Sequence, residues 1–208
     1  MATEMAEAFR LDQVLFIPAG LPYHRGRSAH ATKDQRLTML KLATARDARF
    51  DVDDRELKRE GNTYTYDTLA EIRRERGPGT SLVFLMGTDT FAKIDTWHRW
   101  TELFDLAHFG VAIRADDSQW NTRGPGAFPR EIWPRITLNL REMLAAPAGK
   151  VMTFKMTPLA ISSTAIRDTV AAGGSVRYLT PDPVVEFIRT HQLYSSQRQE
   201  TAVPDTAQ

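Results

Sequence analysis

The run Ala160-Ile161-Ser162-Ser163-Thr164-Ala165-Ile166-Arg167-Asp168 sets three consecutive hydroxyl side chains between an apolar segment and a helical pattern. An arginine follows one turn later. At a helix entrance a Ser or Thr side chain accepts hydrogen bonds from first-turn N–H groups that have no partner inside the helix. One hydroxyl is enough for that task, and here Ser162, Ser163 and Thr164 supply three, with the Arg167 guanidinium beside them. Free amides, hydroxyls and a guanidinium converging on one helix terminus make an anion site of the kind that takes a phosphate. Taken alone, the nine residues favour the plain cap, the far commoner use of Ser and Thr.

Three further groups have side chains that suit chemistry. Pro18-Ala19-Gly20-Leu21-Pro22-Tyr23-His24-Arg25 follows an apolar run that reads as a strand, so His24, Arg25 and Arg27 fall beyond a strand carboxyl end. Ligands of open α/β sheets bind there, although an exposed basic loop would look the same. Met86-Gly87-Thr88-Asp89 also ends a strand. Gly87 would let a ligand approach the backbone and Asp89 could accept ribose hydroxyls or sit near a metal; a turn with an ordinary cap is the alternative. Thr63-Tyr64-Thr65 and Asp95-Thr96-Trp97-His98 form the last group. A Trp beside a strand end can stack on a planar ring, or can simply be core.

The elements that must position these groups alternate. Short apolar runs predict strands over Gln13–Pro18, Arg49–Asp53, Ser81–Met86, His108–Ile113 and Lys150–Lys155. Helical patterns fall between them. One spans Lys33–Ala45, opened by a capping box of Thr32 and Gln35. Another covers Tyr66–Arg76 and stops at Gly77-Pro78-Gly79, and a short one starts at Thr101. Pro134 suits the first position of a helix over Pro134–Ala145. Helices over Ala165–Ala172 and from Thr180-Pro181 follow, the last burying Val184, Val185, Phe187 and Ile188. Ala115–Arg130 reads as a surface loop and Ser195–Gln208 as a polar, disordered tail, leaving one domain over 1–194. The pattern predicts an α/β fold: a Rossmann-like, open, mostly parallel sheet with helices on both faces. Met1–Leu11 reads as the second half of an amphipathic helix, with Met5, Ala8, Phe9 and Leu11 near one face. Such a helix normally crosses over from an earlier parallel strand, so the first strand of the sheet is expected to be missing from this sequence.

Composition narrows the function classes. The chain has 208 residues, 42% apolar and 25% charged, with 27 basic and 26 acidic side chains and a net charge of +1. That balance argues against a nucleic-acid binder but leaves room for a local cation cluster. With no cysteine there is no disulfide, thiolate metal site or cysteine nucleophile, and a reducing, cytoplasmic setting fits. The first twelve residues lack the apolar core of a signal peptide, and no run approaches the ~20 apolar residues of a membrane span. Neither a G-x-G-x-x-G after a strand nor a P-loop or G-x-S-x-G elbow occurs. The five histidines form no H-x-x-x-H pair, so no protein-held metal is expected.

In their order and spacing, "VLFIPAGLPYHR", "DDRELKREGNTYTYDTL", "FLMGTDT", "DTWHRWTELFDLAHFGVAIR" and "ISSTAIRD" resemble the blocks of bacterial nicotinate-nucleotide adenylyltransferases, members of the nucleotidyltransferase superfamily. The resemblance runs from Met1 to about Tyr194. It implies adenylyl transfer from ATP to nicotinate mononucleotide with Mg²⁺, both substrates being small molecules, with neither nucleic acid nor membrane as partner; assembly into a homo-oligomer is compatible with it. Ser162, Ser163, Thr164 and Arg167 would hold the ATP phosphates, with Arg167 and His24 acting in catalysis and Arg25 facing the phosphates. Gly87 and Asp89 would lie against the adenosine ribose and phosphates. Thr65, Trp97 and His98 would take the nicotinate ring and its carboxylate. Tyr23 stands where the family usually has a second proline. The family also opens with a strand and G-G-T/S-F-D-P-x-H-x-G-H, which this sequence lacks. The expectation is therefore that Met1 is an internal methionine and that the chain as written turns over poorly. Two other readings stay open: a related enzyme using nicotinamide mononucleotide or phosphopantetheine as acceptor, and an inactive nucleotide-binding chain.

Overall fold

A computed structural model describes residues 1–22, 31–113 and 128–195. His24 and Arg25, and all of the predicted loop from 115 to 127, lie outside the described residues. In chain order the elements are α1 (Ala2–Ala8), β1 (Val14–Phe16), β2 (Leu21–Pro22), α2 (Lys33–Thr44), β3 (Phe50–Val52), α3 (Arg55–Lys58), β4 (Asn62–Thr63), α4 (Thr65–Arg76), β5 (Val83–Gly87), α5 (Thr88–Phe91), α6 (Leu103–Leu106), β6 (His108–Ile113), α7 (Leu140–Leu144), β7 (Val151–Lys155), α8 (Ser163–Ala171) and α9 (Asp182–Thr190). Every ladder is parallel: β1 with β3, β2 with β4, and β5–β6–β7 with β6 in the middle.

β6 shows why the sheet forms. All six of its residues are buried, as expected for a parallel strand covered on both faces, and its near-continuous apolar run is the signature of that burial. Side chains alternate about the sheet. Phe84, Phe109 and Val111 join a core with Phe91, Ile94 and Phe104 on one side. Val83, Leu85 and Ala112 join Met5, Phe9 and Met143 on the other. Helices thus cover both faces of an α/β sheet, as the sequence predicts. α1 seals the second face through Met5 and Phe9, both fully buried, and Glu4 accepts a 3.1 Å hydrogen bond from the Thr157 amide beyond β7. The capping box of α2 is present in both directions. A third core joins Met39 and Leu42 of α2 to Val170 of α8 and to Val184 and Ile188 of α9; Val185 and Phe187 are only half-buried.

One predicted helix does not form. Pro134 lies inside a 3₁₀ segment, Arg130–Arg135, and only Leu140–Leu144 is α-helical. A non-local pairing intervenes: Ile136 bridges Val151 in parallel, and the Thr137 amide donates to the Val151 carbonyl at 2.9 Å. The chain must be extended there, and Asn139 then caps the shortened helix through the amides of Arg141 and Glu142.

The N-terminal edge of the sheet is fixed by His108, which is fully buried. Its Nε2 lies 2.8 Å from the Ala146 carbonyl, and Nδ1 accepts the Lys150 amide at 3.0 Å. Only the neutral ring with its proton on Nε2 satisfies both partners. Burial pushes the imidazole below its ordinary 6.5, and the bond to Ala146 opposes this only in part. At pH above 6.5 the ring is neutral folded or unfolded, and its contribution to stability is complete. Below that the unfolded chain takes up the proton first, so stability falls as the pH drops toward the folded value. Thermal melts from pH 7.5 to about pH 5 are expected to show this loss. A His108→Gln chain should lose less over the same interval; equal slopes would remove His108 as the cause.

Candidate active site at the strand carboxyl ends

The predicted substrate-site residues gather around the C-terminal end of β5. Gly87 closes the strand and precedes α5, and a Cβ built on it would lie 2.7 Å from Asp89 Oδ1. The missing side chain therefore lets the exposed Asp89 carboxylate fold back over the strand end. Thr65 is the first residue of α4, and Tyr64 before it makes no side-chain cap, so the first-turn amides are left without a capping oxygen. Trp97 is half-buried: its ring meets Phe84 of β5 edge-on at 6.0 Å and 87°, which fixes one side of the indole in the core. The exposed His98 ring lies 4.5 Å from Tyr64 and 6.4 Å from Tyr66. The Thr63–Thr65 and Asp95–His98 stretches are thus brought together.

Tyr66 and Arg99 complete this corner, and neither is singled out by the sequence. The Arg99 guanidinium sits 3.6 Å over the Tyr66 ring and is paired with Glu102. Arg99 also has left-handed backbone, φ 54°, which turns the chain sharply between His98 and Trp100.

A charged clamp holds the entrance of α4. Arg59 donates to Thr68 Oγ1 at 3.1 Å and pairs with Glu71 at 2.8 Å, while Thr68 Oγ1 donates to Glu56 at 2.7 Å. Arg55 bonds Asp53 and Glu75. Burial disfavours the Asp53 carboxylate, but the hydrogen bonds from Arg55 outweigh it and hold the group below its usual range. The block "DDRELKREGNTYTYDTL" therefore ties the short α3 to α4. The loop after β1 closes against the same clamp. A Cβ on Gly20 would stand 2.3 Å from the Glu56 carbonyl oxygen and 2.9 Å from Thr63 Cγ2, so only glycine fits. Arg36 of α2 holds that loop from the other side, donating to the carbonyls of Ala19 at 2.7 Å and Gly20 at 3.4 Å.

The opening motif lies beyond the carboxyl end of β7, on the same edge of the parallel ladder. Ser162 is the N-cap of α8, its Oγ accepting from the Ala165 amide at 3.1 Å. Thr164 Oγ1 accepts from Arg167 Nη2 at 3.1 Å, and Ser163 makes no side-chain hydrogen bond among the described residues. Ser162, Ser163 and Thr164 are all exposed and Arg167 is half-buried. One hydroxyl caps and another steadies the guanidinium. The entrance stays open to solvent, with its N–H groups, Ser163 and Arg167 on one helix end. Such an arrangement can take an anion. By contrast, the depression lined by Glu131, Arg135, Gly149 and Lys150 lies at the opposite, N-terminal edge of the sheet. No three His, Cys, Asp or Glu side chains gather as a metal cage among the described residues.

Residues 1–169 match the cytidylyltransferase-like family. A probable nicotinate-nucleotide adenylyltransferase of Dechloromonas aromatica is 44% identical over 194 residues, covering 93% of this chain and 89% of that relative. The chain belongs to the nicotinate-nucleotide adenylyltransferase family. A relative of the same description from Pseudomonas aeruginosa is 39% identical over 93% of the chain and 88% of its own length. Among solved structures, the Plasmodium falciparum nicotinic acid mononucleotide adenylyltransferase complexed with NaAD superposes with a TM-score of 0.63, covering 93% of this chain and 90% of that one. At 16% identity that likeness shows the fold alone. The adenylyltransferase resemblance and the Rossmann-like fold expected from the sequence are both correct. No helix among the described residues is long and apolar enough to cross a membrane.

Proposed function

We propose that the chain transfers the adenylyl group of ATP to the phosphate of nicotinate mononucleotide, forming nicotinate adenine dinucleotide and pyrophosphate in NAD biosynthesis in the cytoplasm. The observation that carries the reading is the 44% identity across 93% of the chain, together with the family match over residues 1–169, which spans every element of the candidate site. A phosphate oxygen of the mononucleotide attacks the α-phosphorus of ATP, and the bond from that phosphorus to the bridging oxygen of the β-phosphate breaks. Phosphate is already a competent nucleophile, so the protein's work is positioning and charge stabilisation.

Ser162, Ser163, Thr164 and the first amides of α8 cradle the triphosphate, and Arg167 offsets the charge that builds up in the transition state. Gly87 and Asp89 lie against the adenosine ribose and phosphates. The open first turn of α4 at Thr65 and the backbone of His98 supply amides to the nicotinate carboxylate, while the free side of Trp97 stacks on the ring. His24 and Arg25, outside the described residues, face the phosphates from the loop after β1. Mg²⁺ enters with ATP, since it is commonly bound by substrate phosphates and one or two carboxylates. Asp89, just past the end of β5, is the carboxylate at hand.

Pyrophosphate release from MgATP is the test, with nicotinate mononucleotide, nicotinamide mononucleotide or phosphopantetheine as acceptor. Release with nicotinate mononucleotide at a kcat/KM at least tenfold above the other two is expected. A preference for either of the others would reassign the acceptor, and no release with any would overturn the activity.

A further inference from the structure

β2 and β4 bring the loop after β1 against the acceptor corner of the candidate site, yet their own pairing does little to fix them. The ladder joins only Leu21 to Asn62 and Pro22 to Thr63. Pro22 has no N–H to give it. The register matters, because Thr63 leads through Tyr64 into Thr65, the first residue of α4. What sets it lies one residue earlier, at Gly20. The Gly20 backbone is wedged between the Glu56 carbonyl and Thr63 Cγ2, at contacts that leave no room for a Cβ. Such a fit resists closer approach but does not stop the loop from lifting away.

Arg36 supplies that restraint. Its Nη1 donates to the Ala19 carbonyl at 2.7 Å and its Nη2 to the Gly20 carbonyl at 3.4 Å. Its Nε is buried without a hydrogen-bond partner among the described residues. A buried donor left unpaired lowers stability, so an apolar side chain would fill this space better. What the guanidinium does provide is one planar fork on two successive loop carbonyls. A group that holds another in place must itself be fixed, and α2 is. Both bonds of its capping box are made, Lys33 Nζ donates to the Leu57 carbonyl at 3.4 Å, and Met39 and Leu42 join the third core.

We propose that Arg36 is a positioning residue for binding of the acceptor nucleotide. From α2 it holds Ala19 and Gly20 down on Glu56 and Thr63, which keeps β2 on β4 and the open first turn of α4 aimed at the nicotinate carboxylate. This rests on the reading of the Thr65 amide as part of the acceptor site. Arg36 acts through the backbone and not on a substrate. The phosphate-binding end at α8 follows β7 and shares no strand with this path, so the effect falls on the acceptor and spares ATP.

The test is calorimetric titration of nicotinate mononucleotide, and separately of MgATP, into the wild-type chain, Arg36→Met, Arg36→Lys, Thr65→Pro and the double variant Arg36→Met with Thr65→Pro. Proline suits the first position of α4 after the extended Tyr64, so Thr65→Pro deletes the amide and keeps the helix. Arg36→Met is expected to weaken nicotinate mononucleotide about tenfold, as for one misaligned hydrogen bond to a charged group, with MgATP affinity unchanged. Arg36→Lys should show an intermediate loss confined to the acceptor, since one ammonium still reaches the Ala19 carbonyl, and it carries the test if Arg36→Met does not fold. In the double variant Arg36→Met should add little to Thr65→Pro. Unchanged acceptor affinity overturns the inference, and so does an equal loss for both nucleotides, which a merely structural role would give. Full additivity in the double variant also overturns it, because the effect would not pass through Thr65. A folded Thr65→Pro chain that binds nicotinate mononucleotide as the wild type does overturns instead the acceptor reading beneath it.

Discussion

Replacing Arg167 with alanine is expected to lower kcat/KM for ATP by about 10²–10³-fold, the usual cost of removing one preorganised donor from a charge-stabilising site. The loss should fall mainly on kcat. In the ground state the triphosphate is also held by Ser162, Ser163, Thr164, the amides of α8 and its own Mg²⁺. Arg167 matters most when negative charge accumulates as the bond to pyrophosphate breaks. Stability should hardly change, since the side chain is half-buried and its hydrogen bond is a 3.1 Å contact to Thr164 Oγ1, a neighbour on the same helix. Arg167→Lys should recover only part of the rate, because an ammonium keeps the charge but not the planar fork that bonds Thr164 and a phosphate together. Steady-state kinetics with a melting curve for each variant decide the matter. A loss below about tenfold in Arg167→Ala would move the charge-stabilising role elsewhere, with the basic loop at His24 and Arg25 the next place to look.

The parts of this molecule readable from sequence are those whose cause is local. The β6 run His108–Ile113 is apolar throughout because the strand is buried on both faces, and its boundaries are the predicted ones. Thr32 and Gln35 announce α2 because each bonds the other's backbone within one turn. Pro134 misleads for the opposite reason. Its local preference is overruled by the pairing of Ile136 with Val151, which no nearby residue reports. β2 and β4 contain two residues each, too few for any period to be visible. In the site, spacing identified Gly87, Trp97 and the Ser162–Arg167 run, but not how each is held. Whether Trp97 is core or stacking surface could not be told from its neighbours in sequence. Its contact with Phe84 of β5, far from it in the sequence, makes it partly core while the residue stays half-buried. Tyr66 and Arg36 were invisible because their meaning lies in partners far along the chain.

The largest effect on stability is expected far from the chemistry, at Arg73. This guanidinium donates to the carbonyls of Leu106 at 2.6 Å and 3.1 Å, of Pro147 at 2.9 Å and of Gly77 at 3.2 Å, and also to Thr80. It thereby joins the end of α4, the end of α6 and the segment leading to β7. Of these carbonyls, Pro147 also accepts the Leu82 amide at 3.2 Å and Gly77 the Thr80 amide at 3.5 Å, so Arg73 matters most to Leu106. Arg73 forms no ion pair among the described residues, and burial lowers its pKa, so the charge is kept in place by oxygen dipoles alone. Arg73→Met keeps most of the apolar stem and removes every donor, leaving the part-buried Leu106 carbonyl unpaired. At about 1–3 kcal/mol for a group that water cannot reach, a net loss of about 1–3 kcal/mol is expected. Urea unfolding at fixed pH should show a lower midpoint with an unchanged slope, because the same surface is exposed on unfolding. Arg73→Lys should fall between, since one ammonium reaches fewer of the carbonyls than a five-donor fork. The carbonyls surround the N-terminal edge of the sheet, beside His108 and Lys150, whereas the candidate site lies at the carboxyl ends. Activity per folded molecule should therefore survive at low temperature. A loss under about 1 kcal/mol would mean that water replaces the guanidinium at these carbonyls, and that the loops are held by the core beneath them.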